Sequence, residues 1–274
     1  MLRTTASLWH LEPAGQDRFH GWCTEGAPNR VFGGQVLAQA VAAAGADLPD
    51  GGVESLHAYF VREGRSAEPI EYVVERTSDD ASQRALRHVT AVQGGKPILV
   101  LDAAFQRDAG PPVSVPSPGD PPAWTSDDSE EARWLADRSH RIRFELRFEG
   151  PPAFFARRDG QTVEGQRFWL RATDTLPDQA LPHAYALVYV SDMMLVSTAL
   201  ASHGLMVRGP GVQSASLDHA LWFHRPVRLD EWVLYEQASP TSAGGRGLST
   251  GRFTDRAGNL VATVRQEVLL RLTE

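Results

Sequence analysis

The sequence predicts an α+β protein made of two copies of one unit, each a curved antiparallel sheet wrapped around a long central helix. Three observations predict it: two helical segments that are apolar nearly all round, a series of strand-like runs after each, and a weak internal repeat that relates the two series. A helix that is apolar on every side has to be buried. A curved sheet folded around it is the simplest way to bury it.

The chain divides near its middle. Its 274 residues are 42% hydrophobic and 22% charged, which is typical of a globular protein with one large domain or two of ordinary size. Residues 108–132 are rich in Pro, Ser, Gly and acidic residues, so they cannot sustain a helix or a central strand and are predicted to be a linker. The predicted units are therefore 1–107 and 133–274.

Each half is predicted to contain one helix followed by strands. Gly33 and Gly34 precede an Ala-rich helix at 35–44, which Gly45 ends, and Pro182 opens a second helix that runs to Leu200. The strand-like runs lie at 53–62, 69–77, 83–93 and 97–106 in the first half, and at 213–225, 231–239, 247–254 and 260–271 in the second.

The repeat appears when the first half is shifted by 163 positions, with no gap. Because both blocks also read as the same series of strands and turns, we interpret the chain as a duplicated domain. At this shift Phe60, Arg62, Glu68 and Tyr72 fall on Phe223, Arg225, Glu231 and Tyr235, Ile70 falls on Val233, and Gly95 falls on Gly258.

Two polar residues lie on faces that are otherwise apolar. Gln266 shares the even positions of its strand with Leu260, Val264 and Val268, and an amide buried there without partners costs about 1–3 kcal/mol. Asp192 lies on the apolar second helix, where an ionised carboxylate needs a partner or a wet cavity. Both residues also have a structural explanation at this point. The Gln266 amide can be satisfied by hydrogen bonds to neighbouring backbone, and Asp192 can lie on a narrow exposed stripe of its helix.

A third residue, Ser216, is an ordinary strand serine when taken alone. At the 163-position shift, however, Gln266 falls on Ala103 and Ser216 falls on Val53, and the first helix contains no acidic residue. The first half thus lacks all three polar groups. Duplication followed by loss of chemistry in one copy explains this asymmetry better than a structural need common to both halves.

Six segments in this order resemble the acyl-CoA thioesterase II (TesB-like) family, a double hot-dog fold. They cover nearly the whole chain apart from the linker, and FGGQV with DHALWFHRP is highly specific. The segments are RVFGGQVLAQAV at 30–41, LHAYFVREG at 56–64, GGKPILVLDAAFQ at 94–106, YVSDMM at 189–194, GVQSASLDHALWFHRPVRLDEW at 211–232 and LVATVRQE at 260–267.

The resemblance implies a catalytic set of Asp192, Ser216 and Gln266, which together hold the attacking water. Family members have Thr where this chain has Ser216, which keeps the hydroxyl but loses the methyl that restricts its rotation. The resemblance also implies substrate contacts at Gly33, Gly34 and His57, and it makes 133–274 the catalytic half and 1–107 the non-catalytic half. Backbone N–H groups near the start of a buried helix would polarise the thioester oxygen, and the sequence leaves open which ones.

The implied reaction is hydrolysis of a fatty acyl-CoA to a free fatty acid and coenzyme A by water attack. Asp192 would act as the general base or orient the water, and no cofactor or metal is expected because a thioester is already an activated acyl group. Two alternatives are kept: a non-catalytic or weakly active acyl-CoA binding protein, and a hot-dog enoyl-CoA hydratase. A hydratase usually has a His on the helix of the Asp, and neither His183 nor His203 is suitably spaced.

Other chemistry is disfavoured by the residues. No G-x-S-x-G nucleophile elbow is present, and the lone Cys23 has no activating partner in sequence. His219 and His224 are five apart on a predicted strand, so they point to opposite faces and are unsuited to one metal ion. A net charge of −7 argues against nucleic-acid binding.

The cellular setting is an expectation. A single cysteine fits a reducing compartment. The sequence shows neither the apolar core of a signal peptide nor an apolar run long enough to span a membrane. A cytoplasmic protein without membrane insertion is therefore predicted. Self-association as a homodimer or higher homo-oligomer is expected because hot-dog proteins generally extend their sheets, and an exposed sheet edge invites pairing.

Overall fold

A computed structural model describes residues 4–24, 29–48, 51–79, 84–106, 137, 142–150, 152–153, 164–207 and 209–272. Its contacts group the chain into two compact units. The first contains Met1–Pro112, Leu176–Asp192 and Asp218–Val227, and the second contains Val113–Thr175, Met193–Leu217 and Arg228–Glu274. The predicted linker at 108–132 and the domain boundaries beside it lie outside the described residues.

The described elements follow one another in two similar series. In chain order they are a 3₁₀ helix at Thr5–Trp9, β1 Leu11–Gly15, β2 Arg18–Gly21, α1 Gly33–Ala44, β3 Gly52–Phe60, β4 Ile70–Asp79, β5 Arg84–Gln93, β6 Lys96–Gln106, β7 Phe144–Phe148, β8 Gly165–Ala172, α2 Ala180–Ser191, α3 Leu195–Ala201, β9 Val212–Ser216, β10 Asp218–Phe223, β11 Val233–Ala243, β12 Arg246–Asp255 and β13 Leu260–Leu272.

The first unit is an antiparallel sheet with α1 on its inner face. Its strand order is β1-β2-β4-β5-β6-β3-β10. Side chains alternate faces along a strand: Leu56 and Ala58 of β3 are buried, whereas His57 between them is exposed. On the buried face, the Tyr72 hydroxyl donates a hydrogen bond of 2.8 Å to Gln39 Oε1 of α1, which fixes the helix against the sheet.

The second unit is an antiparallel sheet in the order β9-β13-β12-β11-β8-β7. Helix α3 packs on five of these strands. The core beside it is aromatic: Tyr235 stacks on Phe253 with ring centres 3.9 Å apart and meets Phe168 edge-on at 5.3 Å. The seven residues of α3 are thus covered by the strands that surround them.

The strand bounds agree with the predicted duplication. Strands β3 and β10 end at Phe60 and Phe223, and β4 and β11 begin at Ile70 and Val233, each pair 163 positions apart. Helix α1 is confirmed, with Gly45 as its C-cap. The predicted strand at 213–225 is instead two strands, β9 and β10, separated at Leu217.

The predicted continuous helix from Pro182 to Leu200 is wrong. The chain forms α2 to Ser191 and α3 from Leu195, with a break over Asp192–Met194. Met194 adopts the left-handed region at φ 66, which ends an α-helix. No Gly or Pro marks this break in the sequence, so the helical pattern of apolar residues runs through it unchanged.

The segment Ala180–Ala201 is long and apolar enough, by length and composition, to cross a membrane. However, 83% of its most apolar window is buried inside the protein. That is the property of a core helix, as the apolar pattern predicts.

A buried arginine joins the far end of α1 to the β4–β5 hairpin. The Arg87 side chain is 1% exposed, and its Nη2 lies 2.7 Å from Asp79 Oδ1 and 3.2 Å from Asp47 Oδ2. Arg76 also pairs with Asp47, at 2.8 Å, but its side chain is 46% exposed. Two arginines in different surroundings therefore share one carboxylate.

We predict that Arg87→Met destabilises the protein by about 2 kcal/mol, because it removes the buried guanidinium that joins Asp47 to Asp79 and that also donates to the Ser78 and Leu86 carbonyls. The matched variant Arg76→Met removes an exposed partner of the same Asp47, and solvent screens that loss, so its effect should be much smaller. Urea denaturation of the two variants gives the comparison. Equal losses of stability would show that burial of Arg87 does not matter.

Candidate active site

Asp192 lies at the end of α2, where its carboxylate meets the start of α1. It is 6% exposed, and its Oδ2 accepts a hydrogen bond of 2.9 Å from the backbone N–H of Gly34. Helix α1 has no side-chain cap of its own, so Asp192 satisfies one of its unpaired N-terminal amides. A carboxylate is also favoured there by the positive end of the helix dipole. The partner that a buried Asp192 requires is therefore the helix start of the FGGQV segment.

The two glycines of that segment allow the approach. A Cβ at Gly34 would fall on the backbone carbonyl of Tyr189 and on the Phe32 ring. A Cβ at Gly33 would lie 2.7 Å from Asp192 Oδ2 and 2.9 Å from Phe60 Cζ. Neither glycine has a positive φ, so the requirement is for space and not for backbone conformation.

A serine and a histidine hold the end of α2. The Ser191 hydroxyl donates to the Val188 carbonyl at 2.8 Å. His219 Nε2 lies 2.8 Å from the hydroxyl oxygen of Ser191. Because the single hydroxyl proton of Ser191 is used, Nε2 of His219 carries the donated hydrogen. Both side chains are fully buried. The sequence interpretation weighed His219 only as a metal ligand and missed this bond to the residue before Asp192.

Gln266 and Ser216 form the second pair, on strands β13 and β9. Gln266 Nε2 donates to Ser216 Oγ at 3.0 Å. Gln266 is fully buried, as its place among the apolar even positions predicted, and Ser216 is half-buried. The structure thus brings together Gly34 with Asp192 in the first unit, and Ser216 with Gln266 in the second.

His57 lies on the exposed face of β3, opposite the face that carries α1. Its ring meets Trp222 edge-on at 5.2 Å, and its strand partner in β6 is Asp102. This contact gives His57 a packing role between β3 and β10, and its role in substrate binding stays a prediction.

Cys23 is poorly suited to act as a nucleophile. Burial raises the pKa of its thiol to about 11, so the reactive thiolate is disfavoured near neutral pH. This agrees with its exclusion on sequence grounds.

Comparison with known proteins identifies the same family in both halves. Residues 19–106 match the family described as acyl-CoA thioesterase N-terminal domain, and residues 137–269 match the family described as acyl-CoA thioesterase. Acyl-coenzyme A thioesterase 8 of Rattus norvegicus is 35% identical over 97% of this chain and 88% of its own length. Acyl-CoA thioesterase 2 of Haemophilus influenzae is 31% identical over 100% of this chain and 99% of its own length.

Solved structures agree with the predicted fold. The acyl-CoA thioesterase II TesB2 of Mycobacterium marinum is similar with a TM-score of 0.77 and 33% identity over 98% of both chains. A hot-dog protein of Alicyclobacillus acidocaldarius, at 18% identity and a TM-score of 0.74 over 100% of both chains, supports the fold alone. The predicted α+β double hot-dog class is confirmed.

We predict that Gly34→Ala lowers stability by about 1–3 kcal/mol or more, because its methyl group meets a backbone carbonyl that cannot move without separating the helices. Gly33→Ala should cost less, since the atoms it meets are ends of side chains. Thermal melts of the two variants measure the difference. If Gly33→Ala were the more damaging, the close approach of α1 to the Tyr189 carbonyl would not be the constraint.

Proposed function

Since this chain belongs to the acyl-CoA thioesterase family, we propose that its Asp192 carboxylate activates the water that attacks the thioester. The chain is an acyl-CoA hydrolase, which releases a free acid and coenzyme A. The single observation that carries the assignment to Asp192 is its bond to the Gly34 amide. That bond places a buried carboxylate at the FGGQV segment, which the family resemblance links to substrate binding.

The bond from Gly34 is compatible with a role of Asp192 as a base, because a carboxylate can accept more than one hydrogen bond. One oxygen accepts the Gly34 N–H, and a carboxylate has about four lone-pair sites in total. A general base that takes a proton from the attacking water typically contributes 10²–10⁴-fold to the rate. The Gly34 bond also restricts the direction in which the carboxylate points, which favours a fixed water position.

We assign Ser216 and Gln266 to holding the same water, as the family resemblance implies. Their mutual hydrogen bond supports this role. Because Gln266 donates to the Ser216 oxygen, the hydroxyl proton of Ser216 is directed to an acceptor other than Gln266. A buried amide that fixes a half-buried hydroxyl is suited to orienting a small polar molecule.

The thioester oxygen needs a hydrogen-bond donor as negative charge develops on it. Gly34 already donates to Asp192, so we assign this donor to the N–H of Gly33, which is half-exposed at the start of α1. The positive end of the α1 dipole stabilises the same charge. Gly34 then acts by holding the base, and Gly33 by polarising the substrate.

The oligomeric state and the cellular location also remain predictions. A homodimer or larger homo-oligomer is supported by the exposed apolar side chains of Tyr59 and Val61, which are 65% and 45% exposed, because apolar surface of this kind favours association. A cytoplasmic location is supported by the single cysteine, which fits a reducing compartment.

Asp192→Asn should lower kcat for acyl-CoA hydrolysis by about 10²–10⁴-fold, since the amide cannot take a proton from water. The Asn oxygen still accepts the Gly34 N–H, so folding should be preserved. Free-thiol release from short, medium and long acyl-CoAs measures the loss and gives the chain-length preference of the parent. A variant that keeps its rate would refute the role of Asp192. If the parent also releases no thiol while acyl-CoA raises its Tm, the chain would be a binding protein.

Ser216→Ala should lower kcat by about tenfold or more, because it removes the hydroxyl that Gln266 fixes. Ser216→Thr is the matched variant: it keeps the hydroxyl, and its methyl restricts rotation, so the rate should equal or exceed that of the parent. Steady-state kinetics with one medium-chain acyl-CoA compares the three proteins. Equal rates for the alanine and threonine variants would exclude a role for the hydroxyl.

A further inference from the structure

The break between α2 and α3 is costly to the chain. Met194 is a non-glycine residue in the left-handed region, at φ 66, a conformation that costs about 1–2 kcal/mol. The break also removes the backbone donors that a continuing helix would supply to the last carbonyls of α2, whereas the Met194 carbonyl keeps a helical bond of 2.8 Å from the Thr198 N–H. Something in the fold must stabilise this short segment, which begins at the carboxylate-bearing residue Asp192.

Three side chains lie within hydrogen-bond distance of consecutive carbonyls of the broken segment. Gln237 Nε2 donates to the Met193 carbonyl at 2.7 Å. Thr198 Oγ1 lies 3.0 Å from the Met194 carbonyl, and Ser249 Oγ donates to the Leu195 carbonyl at 2.8 Å. The donors come from β11, α3 and β12, so residues distant in sequence hold one short stretch of backbone.

Gln166, on β8, lies within hydrogen-bond distance of two of these side chains. Its Nε2 lies 2.9 Å from Thr198 Oγ1 and 2.8 Å from Gln237 Oε1, and Thr198 Oγ1 is 2.8 Å from that same Oε1. The orientation of the Gln237 amide follows from chemistry: the Met193 carbonyl only accepts, so Nε2 must face it and Oε1 accepts from Gln166. Thr198 has one hydroxyl hydrogen, which it donates either to this Oε1 or to the Met194 carbonyl.

The four polar side chains are all buried: Gln166 is 7% exposed, Gln237 is 4% exposed, and Thr198 and Ser249 are fully buried. A buried polar network is expensive unless its members are satisfied, and apolar residues would build the core at less cost. The first copy of the repeat has an apolar residue at one of these positions, since Gln237 corresponds to the buried Val74 at the 163-position shift. The amide is present in the copy that contains Asp192.

We propose that Gln237, Thr198, Ser249 and Gln166 are positioning residues for the reaction. They fix the backbone of Met193–Leu195, and the peptide bond from Asp192 to Met193 transmits that position to the carboxylate. This inference rests on the proposed catalytic role of Asp192. In this role the network acts through Asp192, so it governs the direction of the base and not the binding of the substrate.

The test compares Thr198→Val with Thr198→Ser. Valine has nearly the shape of threonine but removes the hydroxyl, so kcat should fall about tenfold while KM changes less than twofold. Serine restores the hydroxyl and should return kcat to within about twofold of the parent. The matched control is Ser239→Ala on β11, which removes a hydroxyl that donates to the Leu248 carbonyl at 3.0 Å and should leave kcat unchanged. All assays are run well below the lowest Tm.

Amide hydrogen exchange of the peptide that spans Asp192–Leu195 gives a readout independent of activity. Exchange should be faster in Thr198→Val than in the parent and return to the parent rate in Thr198→Ser. Unchanged exchange would overturn the proposal, as would a valine variant with lowered Tm but parental kcat. If Asp192→Asn keeps its rate, the proposed function fails, and the exchange result still decides whether the network holds this segment.

Discussion

The hydrogen bond from the Gly34 amide to Asp192 is the interaction on which the proposed chemistry depends. It joins the start of α1 to the end of α2 at 2.9 Å. Three features of the same unit belong to it: the glycine pair, the end of α2 at Ser191 and the Ser191–His219 bond. Each either allows the helices to approach or fixes the backbone that carries the carboxylate. These contacts offset the energetic cost of a broken helix and a buried carboxylate, and they restrict the direction of the proposed base.

The two copies of the repeat have diverged in a way that this constraint explains. The first copy supplies a helix start with two glycines and contains no acidic residue in that helix. The second copy supplies the carboxylate, the Gln266–Ser216 pair and the amides that hold the broken helix. Duplication followed by loss of chemistry in the first copy explains why the proposed catalytic side chains lie in the second copy, while the first copy supplies the amide that bonds Asp192.

Much of the fold was predictable because its signals are local or periodic. Buried strands alternate with a period of two, and α1 begins at two glycines and ends at Gly45. The same alternation identified Gln266. It would also have identified Gln237, which shares the odd positions of β11 with the buried Val233 and Tyr235, but only Gln266 was singled out.

The helix break was not predictable, because its causes are distant in sequence. The segment around Asp192 is apolar and lacks Gly and Pro, so nothing local ends the helix. The donors that satisfy its carbonyls come from β11 and β12, and only the folded chain brings them there. The Ser191–His219 bond was missed for the same reason, since the two residues are 28 positions apart.

The most direct test of the central claim is the coupling between Gly33→Ala and Asp192→Asn in single-turnover hydrolysis of an acyl-CoA. A methyl group at Gly33 would lie 2.7 Å from Asp192 Oδ2, so it should displace the carboxylate and slow the parent enzyme. In the Asp192→Asn background no base remains to be displaced. Gly33→Ala is therefore expected to lower the single-turnover rate little further. Loss of the same rate factor in both backgrounds would contradict the claim that the glycine start of α1 acts through Asp192.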